Sequence, residues 1–430
     1  MGRRRAPVCC RLRPPEIALL VRPTHRRFTP ARLALVVAAG LLAASTAACS
    51  AVSDAVSVGG GSSSGASAGS SSSSPTPQPA ELVITPKDGA AGVKPSSLVT
   101  VSARSGTIEK VSVRDAKGHA IDGDLTDGVW KATQRTKPAT SYTVQVSAKG
   151  VDGTPSTERT TFKTLTPKTV ATYSMPYTGS TVGVGMPATI QFDSQVTSKA
   201  YRAQVQKSIS IKTSPKTAGS WGWLDNRQLM WRPKSYWKPG TKVTITADLT
   251  GVQTGPSKWV ANNLTGGFTV GSSTISYVNL ATHEMRVTQN GRTLRTVPIS
   301  AGQDRMPYIT RSGTKVIIEK QPSVIMDSAT SGVPKGSPDY YREKVDWDLR
   351  LTWTGEYIHS APWSVYAQGR ANVSHGCVNV GPSNAIWMYN LSKPGDVVKF
   401  TGSSRQFLPT EGIGVWQYSY SQWKQQSALA

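Results

Sequence analysis

The reactive side chains of this sequence concentrate in one stretch, Ser374-His375-Gly376-Cys377-Val378-Asn379, with His359-Ser360 upstream. Cys377 is the only cysteine after Cys49, so a local disulfide partner is missing and the thiol is either inert and buried or a reagent. Two of the five histidines, His359 and His375, lie within 18 residues of it. A thiol that acts as a nucleophile needs a base, and imidazole is the usual one. Gly376 permits close backbone approach beside the sulfur, and the surrounding amides are suited to receive an oxyanion. The stretch therefore reads as a cysteine acyl-transfer site. Zinc is the competing chemistry, but no ligand spacing matches and no second cysteine is near.

The elements that must hold this site read as short strands. Ser276–Ser300 reads as two strands, then a hairpin turn signal at Asn290-Gly291, then a third strand. Further strand patterns occupy Gly313–Glu319, Leu349–Thr354, Glu356–His359 and Asp396–Phe400, and Pro382–Leu391 reads as a short helix with Ser383 as a candidate cap. Asp346 and Asp348, beside Trp347, are candidates to bind substrate amines, but a solvated loop is the plainer expectation. His119 and His283 read as ordinary strand or loop residues.

Ahead of this domain, residues 81–165 alternate apolar and polar positions between turn signals at Asp88-Gly89, Asp122-Gly123 and Asp152-Gly153. That spacing predicts an immunoglobulin-like sandwich, and residues 166–271 predict a second. Trp221, Trp223, Trp231 and Trp237 of the second unit are either a carbohydrate platform or core; core is the expectation. The fold class is mainly β, in keeping with 39 Gly, 28 Pro and 17% charged residues in 430. After the catalytic region, residues 403–430 are rich in aromatics and are expected to pack back on it.

The net charge is +24, of which +8 lies in residues 1–48, leaving +16 for the rest. A cationic body suits residence beside anionic polymers or membranes. Nucleic acid is not expected as a partner, because no basic helix, zinc knuckle or basic-aromatic motif is present. Arg26–Arg32, the apolar run from Leu33 and Ser45-Thr46-Ala47-Ala48-Cys49 form the three parts of a signal peptide over residues 1–48. A cysteine at that point resembles a lipoprotein signal, making Cys49 the expected lipidation site, although Thr46 stands where that pattern favours Leu. Simple secretion is the alternative. Residues 49–80, mostly Ser, Gly, Ala and Pro, form a flexible tether.

The residues Ile358-His359-Ser360-Ala361-Pro362-Trp363 and Ser374-His375-Gly376-Cys377-Val378-Asn379 resemble the L,D-transpeptidase catalytic domain of the YkuD type, over residues 272–402. With the tether and two sandwiches, the whole resembles multidomain actinobacterial and mycobacterial members of that family. The resemblance implies Cys377 as nucleophile, His359 as base and Ser360 as the residue that orients His359 through its carbonyl. It implies an oxyanion site framed by His375, Gly376 and Cys377, with Ser374 and Asn379 holding the loop and substrate polar groups. A flap carrying Met326 and Tyr341, and a site wall carrying Trp363, are further expectations. The implied substrate is a peptidoglycan stem tetrapeptide, whose third residue becomes a thioester on Cys377 as D-alanine leaves. The side-chain amine of another stem then resolves it. Carbapenem-type β-lactams are the implied inhibitors, and no cofactor is implied. Location at the outer membrane face, through a lipid anchor, and in the wall follows. An L,D-carboxypeptidase and a non-catalytic wall-binding scaffold are the alternatives.

Overall fold

A computed structural model describes residues 77–430 apart from Gly332. Residues 1–76, which include the expected signal segment, Cys49 and most of the expected tether, lie outside the described residues.

The first sandwich packs a four-stranded sheet, built on Glu81–Thr85, Thr100–Ser105, Val129–Ala132 and Gly123–Thr126, against a five-stranded one. Val99, Val101, Trp130, Tyr142, Val144, Val146 and Phe162 fill the space between them. Alternation explains the burial: along Ser141–Lys149 every second side chain is buried. Asp122-Gly123 is not a turn. Gly123 begins a strand, and a Cβ there would sit 2.3 Å from the Trp130 ring, so the glycine makes room for the indole. The turn is Asp127-Gly128, five residues on, with both residues at positive φ.

The second sandwich also comprises two four-stranded sheets, with a small three-stranded sheet beside them. It includes a helix, Lys199–Lys207, that the strand pattern does not foretell; Ser198 caps it by accepting from the Tyr201 amide at 3.2 Å. Trp223, Trp231 and Trp237 are buried in its core, with Trp231 and Trp237 stacked at 5.1 Å, while Trp221 is half-buried.

The third body holds the site. A five-stranded sheet runs in the order Arg292–Pro298, Glu284–Gln289, Thr274–Asn279, Val397–Thr401, Gly313–Val316. Asn290 and Gly291 both take positive φ at its first hairpin. A four-stranded sheet runs in the order Glu319–Asp327, Arg342–Arg350, Tyr357–Ser360, Val378–Val380. The helix Pro382–Leu391 packs Ala385 and Met388 into the shared core with Leu349, Ile358, Val378 and Val380. Ser383 does not cap it: Gly381 is the cap residue, and Pro382 opens the first turn, where its missing N–H has no partner to lose. The expected solvated loop at Asp346 and Asp348 is instead part of the strand Arg342–Arg350, and Asp348 is fully buried.

The second and third bodies share one core. Val316, Ile318 and Val397 join Val184, Met186 and Trp237, together with Ile413, Val415 and Trp423 of the C-terminal segment. Gly183 and Gly185 donate backbone hydrogen bonds to Pro394 and Gly395, each at 2.8 Å. Trp416 Nε1 donates to the Gly185 carbonyl at 2.7 Å, and Trp423 Nε1 to the Ser220 carbonyl at 3.0 Å. Arg232 is buried among Trp416, Tyr420 and Trp423, and donates to the Tyr418 carbonyl at 2.9 Å. The joint between the first two bodies is different in kind: Arg135 donates to the Asp248 carbonyl at 3.0 Å and to Ser208 Oγ at 2.7 Å, with both groups partly in solvent. Trp423→Ala removes the largest fully buried side chain of the C-terminal segment and should destabilise by about 3–5 kcal/mol. The thermal midpoint of the variant reads this; an unchanged midpoint would show that the segment holds nothing together.

Candidate active site

Two short parallel strands bring the site together. Tyr357–Ser360 pairs with Val378–Val380 in the register Ile358 to Val378, His359 to Asn379 and Ser360 to Val380. Ile358 and Val378 face the core, so His359 and Asn379 share the opposite face, and Cys377, two residues before Asn379, joins them there. His359 and Cys377 are thus diagonal neighbours across one strand pair. The chain reaches this point through Gly376, at φ +127°, a conformation that a side chain would strain. Gly302 presses against it: a Cβ at Gly302 would lie 2.9 Å from the Gly376 Cα.

The orientation of His359 is fixed by its own neighbour. Nδ1 lies 2.9 Å from the Ser360 carbonyl, so Nδ1 carries the hydrogen and Nε2 is left as the proton acceptor. The ring is 4% exposed, and burial lowers its pKa to about 4. Cys377 is 7% exposed and donates from Sγ to the Gly355 carbonyl at 3.4 Å; burial pushes its thiol up to about 12. Both groups are therefore neutral at rest, an imidazole beside a thiol rather than an ion pair.

Ser374 braces the loop. Its hydroxyl donates to the Cys377 carbonyl at 2.6 Å and accepts from the Gly376 amide at 3.1 Å. The Gly376 amide is thus already engaged in the resting chain. Asn379 Nδ2 donates to Ser364 Oγ at 3.0 Å, tying the segment after Ser360 to the cysteine strand, while Ser300 and Asn379 exchange backbone bonds at 3.1 and 2.8 Å. Tyr341 lies against the His375 ring at 4.8 Å, and Trp363, 50% exposed, lies 6.1 Å from the His359 ring. Met326 is half-buried on the strand Glu319–Asp327, opposite Glu343, in the hairpin that leads to Tyr341.

Several supporting groups carry no local sequence signature. Tyr308 packs edge-on against His375 at 4.6 Å, and Thr310 Oγ1 accepts from the Gly302 amide and donates to the Gly376 carbonyl at 2.9 Å. Beneath Gly355, Glu356 is buried between Lys315 at 2.5 Å and Arg311 at 3.0 Å, and Arg311 reaches Glu411 at 3.1 Å. Among the described residues no three His, Cys, Asp or Glu side chains gather as a metal site would require.

A neutral thiol predicts a particular pH profile. Iodoacetamide alkylation of Cys377 in the free protein should keep rising with pH, about tenfold per unit up to roughly pH 10. A plateau beginning between pH 5 and 7, read by mass spectrometry, would show a preformed thiolate–imidazolium pair instead.

Residues 273–400 match the family model of the L,D-transpeptidase catalytic domain, and residues 90–253 match that of a bacterial Ig domain. L,D-transpeptidase 2 of Mycobacterium tuberculosis is 37% identical over 81% of this chain and 85% of its own length. L,D-transpeptidase 5 of the same species is 30% identical over 83% of this chain and 78% of its own. A solved L,D-transpeptidase in complex with imipenem is 37% identical, covers 55% of this chain with 99% of its own and superposes with a TM-score of 0.46. This chain belongs to the L,D-transpeptidase family, whose members act on cell-wall peptidoglycan.

Proposed function

We propose that Cys377 is the acyl carrier of a peptidoglycan L,D-transpeptidase reaction. The observation that carries this reading is the shared sheet face of His359 and Cys377, with Nε2 left free by the Ser360 carbonyl. His359 takes the thiol proton as sulfur attacks the carbonyl of the third stem residue. The resulting oxyanion is received by the amides of Cys377 and His375, because that of Gly376 is held by Ser374. As the tetrahedral intermediate collapses, His359 returns the proton to the departing D-alanine amine, leaving the thioester. A side-chain amine of a second stem then attacks, again giving its proton to His359, and the new amide leaves with Cys377 restored.

Met326 and Tyr341 on the flap and Trp363 at the mouth contribute the contacts that seat the stem peptides. Strained β-lactams such as carbapenems are acyl donors to the same sulfur. Residues 1–48 direct export, and Cys49 carries the lipid that anchors residues 49–80 as a tether at the outer membrane face.

Tetrapeptide muropeptides should yield cross-linked dimers and free D-alanine. Tripeptide monomers alone would mean that water is the acceptor, and no change would mean a scaffold. Meropenem should add one adduct per chain, and its persistence in Cys377→Ala would assign the nucleophile elsewhere. His359→Ala should slow adduct formation by about 100- to 10,000-fold with circular dichroism unchanged.

A further inference from the structure

One buried acid on the active face has no role in the steps above. Asp348 is 0% exposed, and neither carboxyl oxygen has a hydrogen-bond partner. Buried carboxyls are ordinarily satisfied, so an orphaned one asks for a reason. Its position supplies one. The strands Arg342–Arg350 and Tyr357–Ser360 pair Arg350 with Tyr357 and Leu349 with Ile358, and the next residue along each strand is Asp348 and His359. Leu349 and Ile358 face the core, so Asp348 and His359 stand on the opposite face, the face of Cys377. We propose that Asp348 is a positioning residue for the reaction: a carboxyl aligned beside His359 that supplies the negative charge against which the imidazolium forms when His359 takes the Cys377 proton. This rests on the assignment of Cys377 and His359 made above.

The groups around Asp348 leave that charge unneutralised. Along its own strand are Asp346, exposed, and Arg350, which is held by Glu319 at 2.9 Å. Across one side is Gln321, neutral, and Lys320 turns to the carbonyls of Tyr389 and Ser392 near the helix end. Across the other, one step past the last paired residues Leu349 and Ile358, is His359, with Cys377 one strand further. Adjacent strands lie ~4.8 Å apart, and His359 is on the strand next to Asp348 while Cys377 precedes the strand beyond it. A negative Asp348 also holds the Cys377 thiol up, so its favourable effect comes through the imidazolium that forms as the thiol proton leaves. No new bond is made: the S–H proton moves to Nε2, sulfur bonds the acyl carbon, and the Asp348 proton has already gone to solvent.

Burial, reinforced by Asp346, pushes Asp348 up to about 7, whereas His359 stays free to act as a base above about 4. The single-turnover rate of meropenem acylation should therefore rise roughly fivefold between pH 5.5 and 8.5. In Asp348→Asn the rise should vanish, with the rate at both pH values matching the wild type at pH 5.5. In a His359→Ala background Asp348→Asn should change nothing. The carboxyl also leaves a stability signature. Its pKa is raised on folding, so its contribution falls as pH climbs from about 4 to about 7 and stays low above; the melting-temperature gain of Asp348→Asn should be larger at pH 8.5 than at 5.5. A wild-type rise retained in Asp348→Asn, a rate lowered equally at both pH values, or an equal melting shift at both would overturn the proposal. Adduct formation in Cys377→Ala would instead overturn the nucleophile assignment and is read separately.

Discussion

Everything chemical in this chain depends on a parallel pairing only three residues long. Tyr357–Ser360 and Val378–Val380 meet in a register that puts the imidazole and the sulfur on one face, and a slip by one residue would turn either to the other side. Three residues of ladder are weak alone. The pairing is supported from below by Ile358, Val378 and Val380 in the core, and from beside by the Ser300–Asn379 bridge. At the loop end Ser374 and Thr310 hold the carbonyls of Cys377 and Gly376.

Burial then sets the electrical character of the site. It raises the thiol and lowers the imidazole, so the resting pair holds no charge in a region where charge would be costly. Glu356, next to Gly355, is matched by Lys315 and Arg311. A buried pair of this kind adds little net stability but is costly to break, which makes the strand start at Gly355–Tyr357 a firm platform. The site is thus poised for proton transfer during attack rather than before it.

Much of this was legible in the sequence, because its clearest signals were local. The Asn290-Gly291 turn, the helix Pro382–Leu391 and the clustering of His359 with Cys377 each follow from residue types within a few positions. What was not legible depended on partners distant in sequence. Asp122-Gly123 has turn composition, but Gly123 exists to admit the Trp130 ring. Asp346-Trp347-Asp348 looks solvated because two carboxylates flank an indole; only the sheet register reveals that one of them is enclosed. Tyr308, Thr310 and Glu356 sit in unremarkable strings and gain their importance from Gly376 and Gly355, tens of residues away for the first two. The helix Lys199–Lys207 was hidden by its composition, since Val205 and Gln206 are the only residues it buries.

The two joints between the three bodies have different mechanical consequences. Around Arg232 the aromatic segment and the glycine backbone bonds weld the second sandwich to the catalytic body, leaving no room for a hinge. Around Arg135 the contacts are polar and partly exposed, and Gly251 lies close against the carbonyls of Pro95 and Thr136. A pull on the first sandwich reaches the mouth around Cys377 only through the second sandwich, which shares one continuous core with the catalytic body.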